Sequence, residues 1–208
     1  MTFISTSAIP LDPVEDVIAT AENVDKYIDE PATMDDIAAS TQAMQSLTSS
    51  STAMASVGST SVARNSMVSS TTAMVEIANT SIGMTEVSGS GAFSSDVAAS
   101  QIAMDEVATS TLAMDELVAR QTLTDAVAAS NVGSVTVART PAAFDRVRGS
   151  AADGDILPQG GNRFLNTIGN STFLFHTFNN SANFEINSEF PNTVDTLIVG
   201  GGGSGGGN

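Results

Sequence analysis

Residues 101–120 read QIAMDEVATS TLAMDELVAR, and this pair of decapeptides decides the fold. Extended in both directions, the same register runs without insertion from Leu11 to Ser150, giving fourteen blocks of ten. The seventh position is apolar in every block, from Val17, Tyr27 and Ile37 through Val107 and Leu117 to Val147. The fourth is Met in seven blocks: Met34, Met44, Met54, Met74, Met84, Met104 and Met114. The tenth is Ser or Thr in twelve, with Glu30 and Arg120 the exceptions. An internal repeat of this length dominates any other reading of the chain. The next block, AADGDILPQG, breaks the pattern, so the array is expected to end near Ser150.

The spacing selects the secondary structure. Positions four and seven would face opposite sides of a strand but share one face of a helix, flanked there by the small third and eighth positions. One continuous helix fits poorly, because at about 100° per residue the apolar stripe would slip by about 80° every ten residues. Each block therefore predicts one short helix followed by a turn. Ser or Thr at the tenth position suits the N-cap of the next helix. Pro31 and Pro141 then fall at the first helical position, where proline is favoured. Gly58, Gly89 and Gly149 fall where each helix should stop. Two large apolar side chains cannot offset the conformational entropy of ordering ten residues. Each repeat must therefore be covered by neighbouring repeats, by other chains, or by both. The expected fold class is mainly α: an elongated repeat array of short helices in an oligomeric fibre, with a small C-terminal β region.

Outside the array the composition shifts. Residues 1–10 precede the register and are read as an N-terminal docking segment. Residues 151–162 read as a linker and 163–199 as a small β region, in which STFLFHTF, NFEI and TVDTLIV are strand-like. Turns are expected at 179–181 and 189–192, and residues 200–208, GGGGSGGGN, read as a glycine-rich flexible tail. Six of the nine Phe lie between Phe164 and Phe190. A three-stranded piece of this size is marginal alone, so it either pairs with other chains or is continued by further sequence.

Composition removes several functions. The 208 residues carry 7 Lys+Arg against 23 Asp+Glu, a formal net charge of −16. So few cations cannot neutralise a nucleic-acid backbone or dock on an anionic membrane. There is no cysteine, hence no disulfide or thiolate chemistry, and no apolar run long enough to span a bilayer. Nine of the first forty residues are acidic against the single Lys26, a solvated face or a docking end.

No catalytic, cofactor or metal residue is expected. His176, the only histidine, has no second His or Cys and reads as structural. Ser204 sits in a G-x-S-x-G match that is nearly empty inside a glycine run, and no helix follows it. The same run mimics a dinucleotide-binding turn without the helix and acidic residue that motif needs. Asp153 and Asp155 supply too few ligands for calcium. The Met stripe reads as core rather than a soft-metal site. Arg146 and Arg148 suit surface ion pairs of small energetic effect.

The blocks QIAMDEVATS and STAMASVGST resemble decapeptide repeats of bacteriophage tail-fibre proteins. The stretch from Phe173 to Gly207 resembles the glycine-rich domain of phage fibres and some bacterial surface proteins, in an aromatic strand, a second Phe-containing strand, and Val194–Val199 running into glycines. The resemblance implies a non-enzymatic, structural virion protein used in host attachment. It also implies a homo-oligomer, with a trimer the usual fibre symmetry. The N-terminal region would dock on a tail, baseplate or head-vertex protein, and the other end would face a host surface receptor. The alternative is a bacterial cell-surface or secreted repeat adhesin. A glycan-degrading fibre enzyme would need paired carboxylates on a larger non-repeat domain than this chain provides.

Overall fold

The computed structural model describes residues 12–168, 171–178 and 183–185. The expected docking segment, the strand at 194–199, the turns at 179–181 and 189–192 and the glycine tail lie outside these residues. The described chain is mainly helical, with a two-stranded antiparallel sheet at its C-terminal side.

Each decapeptide forms its own helix. The order is α1 (Pro13–Ala19), a 3₁₀ helix (Ala21–Lys26), α2 (Pro31–Ala39), α3 (Thr41–Thr48), α4 (Ser51–Ser59), α5 (Ser61–Val68) and α6 (Thr71–Ala78). It continues with α7 (Ser81–Gly89), α8 (Gly91–Ala99), α9 (Gln101–Thr109), α10 (Thr111–Ala119), α11 (Gln121–Ala128), α12 (Asn131–Arg139), α13 (Pro141–Val147) and α14 (Asp153–Ile156). The strands are β1 (Asn162–Ile168) and β2 (Ser171–Thr177). The tenth residue stands outside each helix with extended φ and ψ in most blocks, which turns the chain between successive helices.

The helices coil three to a turn. Every repeat packs on the repeat three further along: α2 on α5, α3 on α6, α4 on α7, and so on to α10 on α13 and α11 on α14. Thirty residues thus make one coil of a three-sided solenoid. Packed helices sit about 8–10 Å apart, so a coil lengthens the shaft by about that much, and five coils make a stout rod about 45 Å long. Thirty residues of a single helix would reach the same length, so the chain gives up reach for girth and stiffness.

The core fills the centre of this coil. Positions three, four, seven and eight point inward, and Met34, Met44, Met54, Met74, Met84 and Met104 are completely buried. The seventh-position residues, Val107 and Leu117 among them, are buried within one chain. Stacking of repeats therefore supplies the cover that a lone repeat lacks, and the repeat itself makes no demand for a second chain.

The tenth-position hydroxyls tie the coils together. From Ser40 to Ser130, nine of them accept a hydrogen bond from the third backbone N–H of the following helix, at 3.1–3.3 Å. This satisfies one of the free N–H groups at each helix start. Five of the same hydroxyls donate to a carbonyl in the coil below, 32 residues earlier. Thr60 reaches Ile28 at 2.9 Å, Ser70 reaches Ala38 at 2.7 Å, and Ser100, Ser110 and Ser130 reach Val68, Ala78 and Ala98 at 2.6 Å. One small side chain thus answers an orphan N–H of one helix and an orphan C=O of another.

Two expectations are corrected. The second repeat is a 3₁₀ helix rather than an α-helix, and its Tyr27 stays half-buried and places its hydroxyl on Asp16 at 3.0 Å. Gly58 is the penultimate residue of α4, next to the Phe93 ring. Residues 151–157 are not a loose linker: α14 closes the fifth coil, with Ala152, Ile156 and Leu157 buried. Leu157 occupies the seventh position of a fifteenth block, so the core pattern outlasts the cap pattern by one repeat. Gly149 does end a helix, two residues after α13 and in the left-handed region at φ 82° that favours glycine.

Candidate functional site at the end of the shaft

The sheet sits where the solenoid stops. β1 and β2 pair antiparallel from Asn162↔Thr177 to Ile168↔Ser171. β1 was not anticipated as a strand, because the neighbours Phe164–Leu165 and Asn166–Thr167 break the period-two alternation that would mark one. Glu185 adds a single bridge to Gln159 through both backbone bonds, at 2.6 and 3.0 Å; the remainder of the expected NFEI strand lies outside the described residues.

Alternation gives the hairpin two unlike faces. Arg163 and Leu165 of β1 share a face with Leu174 and His176 of β2, and both leucines pack against the shaft core. On the other face lie Phe164 and Ile168 with Phe173 and Phe175. Phe164 stacks on Phe175 at 5.4 Å between centroids, and Phe173 meets Phe175 edge-on at 6.3 Å. Phe164, Phe173 and Ile168 remain 42%, 43% and 59% exposed.

A polar clamp holds the inner face to α14. Arg163 grips Asp153 with two bonds of 2.6 Å, and both side chains are nearly buried. Asp153 also accepts from the Gly149 N–H at 2.8 Å and from the Gln159 amide at 3.2 Å. Burial pushes the Asp153 carboxyl up, but the guanidinium and these N–H donors outweigh it and hold it below its ordinary value. The guanidinium thus takes the place that a cation would need at Asp153. Gln121 of α11 reaches Asp155 at 3.5 Å. Among the described residues no group of three or more His, Cys, Asp or Glu could hold a metal.

His176 lies beside this clamp. One ring nitrogen meets the Gly160 carbonyl at 2.7 Å, while Nε2 is buried without a partner. Its ring is edge-on to Phe184 at 4.8 Å and near Phe178 at 6.4 Å. Burial lowers its pKa, and the nearby Arg163 charge lowers it further, against the Gly160 contact. Among the described residues no carboxylate or hydroxyl is hydrogen-bonded to its ring. Arg148 lies over the Phe144 ring at 5.2 Å, pairs with Asp145 at 3.0 Å, and donates to the Arg163 carbonyl at 3.1 Å. Pro141, Phe144, Asp145, Arg148, Phe164 and Leu165 line an open cleft between α13 and β1.

Elsewhere the expected sites resolve into structure. Arg146 pairs with Asp115 across one coil, and all seven cations of the chain are ion-paired. The Met stripe is buried along the shaft. At the N-terminal side Asp16 collects Lys26 at 2.8 Å, Tyr27 and Asn23, which lock the first coil; hydrogen bonds from Lys26 hold the Asp16 carboxyl below its ordinary value. Ser204 lies outside the described residues. No described helix is long and apolar enough to cross a membrane.

No family model matches the chain, and no curated protein or solved structure is measurably similar to it.

Proposed function

We propose that this chain is a structural virion fibre protein, docked to the phage particle by its N-terminal region and carrying its C-terminal β region outward for host attachment. The observation that carries the reading is the unbroken core of the shaft, which runs through every coil, with the described non-repeat hairpin at one end of it. A stack of this kind holds two ends at a fixed distance and orientation, which is what a spacer between a particle and a receptor must do. The resemblance of the decapeptides and of the glycine-rich stretch to phage fibres supplies the virion context. The role is mechanical, with no catalysis, cofactor or metal, and the chain acts as a homo-oligomer, a trimer on fibre analogy.

Polarity follows from the two ends. The acidic stretch to Asp36 offers electrostatic steering toward a basic surface on a tail, baseplate or head-vertex protein. The aromatic hairpin suits the outward end. A map of the intact particle tests this: residues 1–40 should contact a different virion protein, with the hairpin distal. A hairpin buried in the particle with Met1 free would reverse the polarity, and a chain found in no particle would remove the virion reading.

A further inference from the structure

The shaft is tied along its length by contacts that span one coil. Five corner hydroxyls reach a carbonyl 32 residues earlier, and six polar side-chain pairs link a helix to the one three repeats on. Gln45–Glu76, Arg64–Asp96 and Arg146–Asp115 are three of these pairs, one on each side of the coil. The core is also built side by side. Where α5, α8 and α11 stack, the fourth position is polar, and Phe93 and Leu123 of the third position fill the interior. On the other two sides, from α3 to α10, Met fills it from the fourth position and the third is Ala or Gly.

We infer that the shaft is a length gauge graduated in whole coils: its length, and with it the distance and bearing at which the hairpin is held, changes without loss of packing only in steps of thirty residues. The unit comes from the packing; its purpose rests on the spacer role proposed above.

A step of ten moves every later repeat to the next side of the coil. Without residues 101–110, α11 would stack on α7, bringing Leu123 against Met84, and α12 would stack on α8, leaving Phe93 to face Gly133. One layer is crowded and the next is hollow, and both cost stability. Without residues 101–130, α12 stacks on α6 instead of α9, so Ala73 and Met74 take the place of Ala103 and Met104. Ser100, bonded to Val68 at 2.6 Å, then caps α12. Like replaces like, as nearest-neighbour stacking requires.

The hairpin takes its bearing from the whole last coil. β2 lies against α12, Arg148 after α13 donates to the Arg163 carbonyl at 3.1 Å, and Asp153 of α14 grips the Arg163 guanidinium. All three sides therefore seat it. A step of thirty residues moves this seat by about 8–10 Å along the shaft and keeps its bearing relative to α1. A step of ten would swing it by a third of a turn.

The test compares the melting midpoints, read by helical circular dichroism, of otherwise complete chains lacking residues 101–110, 101–120 or 101–130. The order should not be the order of length. The thirty-residue deletion should melt close to wild type, and the ten- and twenty-residue deletions at least about 4 °C below it. Duplicating 101–130, against duplicating 101–110, repeats the comparison without removing any contact and should give the same order; where a deletion fails to fold, the duplications decide. Midpoints that follow the number of blocks, or that do not differ, overturn the proposal. So do a thirty-residue deletion and a thirty-residue duplication that both fail to fold. The measurement uses purified chain, so a chain found in no particle would remove the fibre reading and leave the step, whereas loss of the step would leave a fibre without a graduated length.

Discussion

In the shaft, four of every ten side chains point into a shared interior, and at five corners a tenth-position hydroxyl also donates to a carbonyl of the coil below. In the hairpin, the seven-residue strands turn Phe164, Phe173 and Phe175 outward and only His176 among their aromatic rings inward, and three polar residues hold them to the shaft. The shaft draws its stability from repetition, since an added coil contributes the same contacts again. The hairpin draws its from particular residues, Asp153, Gln159 and Arg163 above all. A change that breaks one region should therefore leave the other largely standing, and the size of the effect should track how far the altered side chain is shared with its neighbours.

The largest effect is expected in the shaft core. Val107→Asp or Leu117→Asp places an unpaired carboxylate among completely buried side chains, at a loss of more than about 4 kcal/mol. Thermal melting followed by helical circular dichroism should show the array unfolded or its midpoint lowered by many degrees. Retention of the wild-type midpoint would mean that the seventh positions are not the core.

Arg163→Ala should come next. It leaves the nearly buried Asp153 carboxylate without its main partner, at about 3–5 kcal/mol for a pair of this kind. That loss should fall on the hairpin and α14. Amide hydrogen exchange should accelerate over residues 150–178, while α3 to α10 keep wild-type protection. Equal loosening throughout would show that the clamp, and not repetition, holds the shaft.

A smaller and graded effect separates two corners. Ser110 caps α10 and donates to Ala78 in a buried setting, whereas Ser50 caps α4 and donates to the exposed Glu22 carboxylate at 2.7 Å. Ser110→Ala should cost about 2 kcal/mol and Ser50→Ala about 1 kcal/mol, read from urea denaturation. The order of the two variants is the informative result, because a cap that worked only along its own helix would make them equal.

Much of this architecture is legible in the sequence, and the three-sided coil was legible too. The 4/7 spacing and the tenth-position Ser or Thr give one helix per block directly, because both are local properties of a helix and its cap. The number of helices per turn is set by tertiary stacking and leaves a subtler mark. Between Met34 and Met114, the fourth position departs from Met at Arg64 and Ser94, and departs again at Thr124: every thirtieth residue. On that side of the coil Phe93 and Leu123, from the third position, fill the core instead. Ser94 and Thr124 turn their hydroxyls to Val87 and Leu117 carbonyls at 2.8 and 2.7 Å, and Arg64 runs out to Asp96 at 2.6 Å. The thirty-residue period is thus written in the exceptions to the ten-residue one. The clamp was less accessible: Asp153, Gln159 and Arg163 belong to no motif and meet only because α14 closes a coil.

The smallest expected effect distinguishes the regions by pH. His176 has a folded-state pKa below its ordinary value of about 6.5, because its ring is buried and faces the Arg163 charge across the β1–β2 register. Around it, α14 contributes Asp153, committed to Arg163, and Asp155; the 183–185 segment contributes Glu185, bridged through its backbone. In the unfolded chain the imidazole takes up a proton near its ordinary pKa, while in the folded chain it resists until lower pH. The unfolded form therefore binds more protons in that window, and stability contributed by neutral His176 is complete above pH about 6.5 and falls as the pH drops through the folded value. Asp153, also lowered, acts in the same direction, but only once the pH falls below the ordinary carboxylate range. Acidification should accordingly loosen the hairpin first, as the pH falls below about 6.5 and through the lowered imidazole value, before the clamp and any part of the shaft respond. Proton NMR of the single imidazole gives the titration directly, and hydrogen exchange over 162–178 gives its consequence. His176→Gln, which does not titrate, should abolish the first step and leave the second. A first step that persists in that variant would assign the acid response to carboxylates alone.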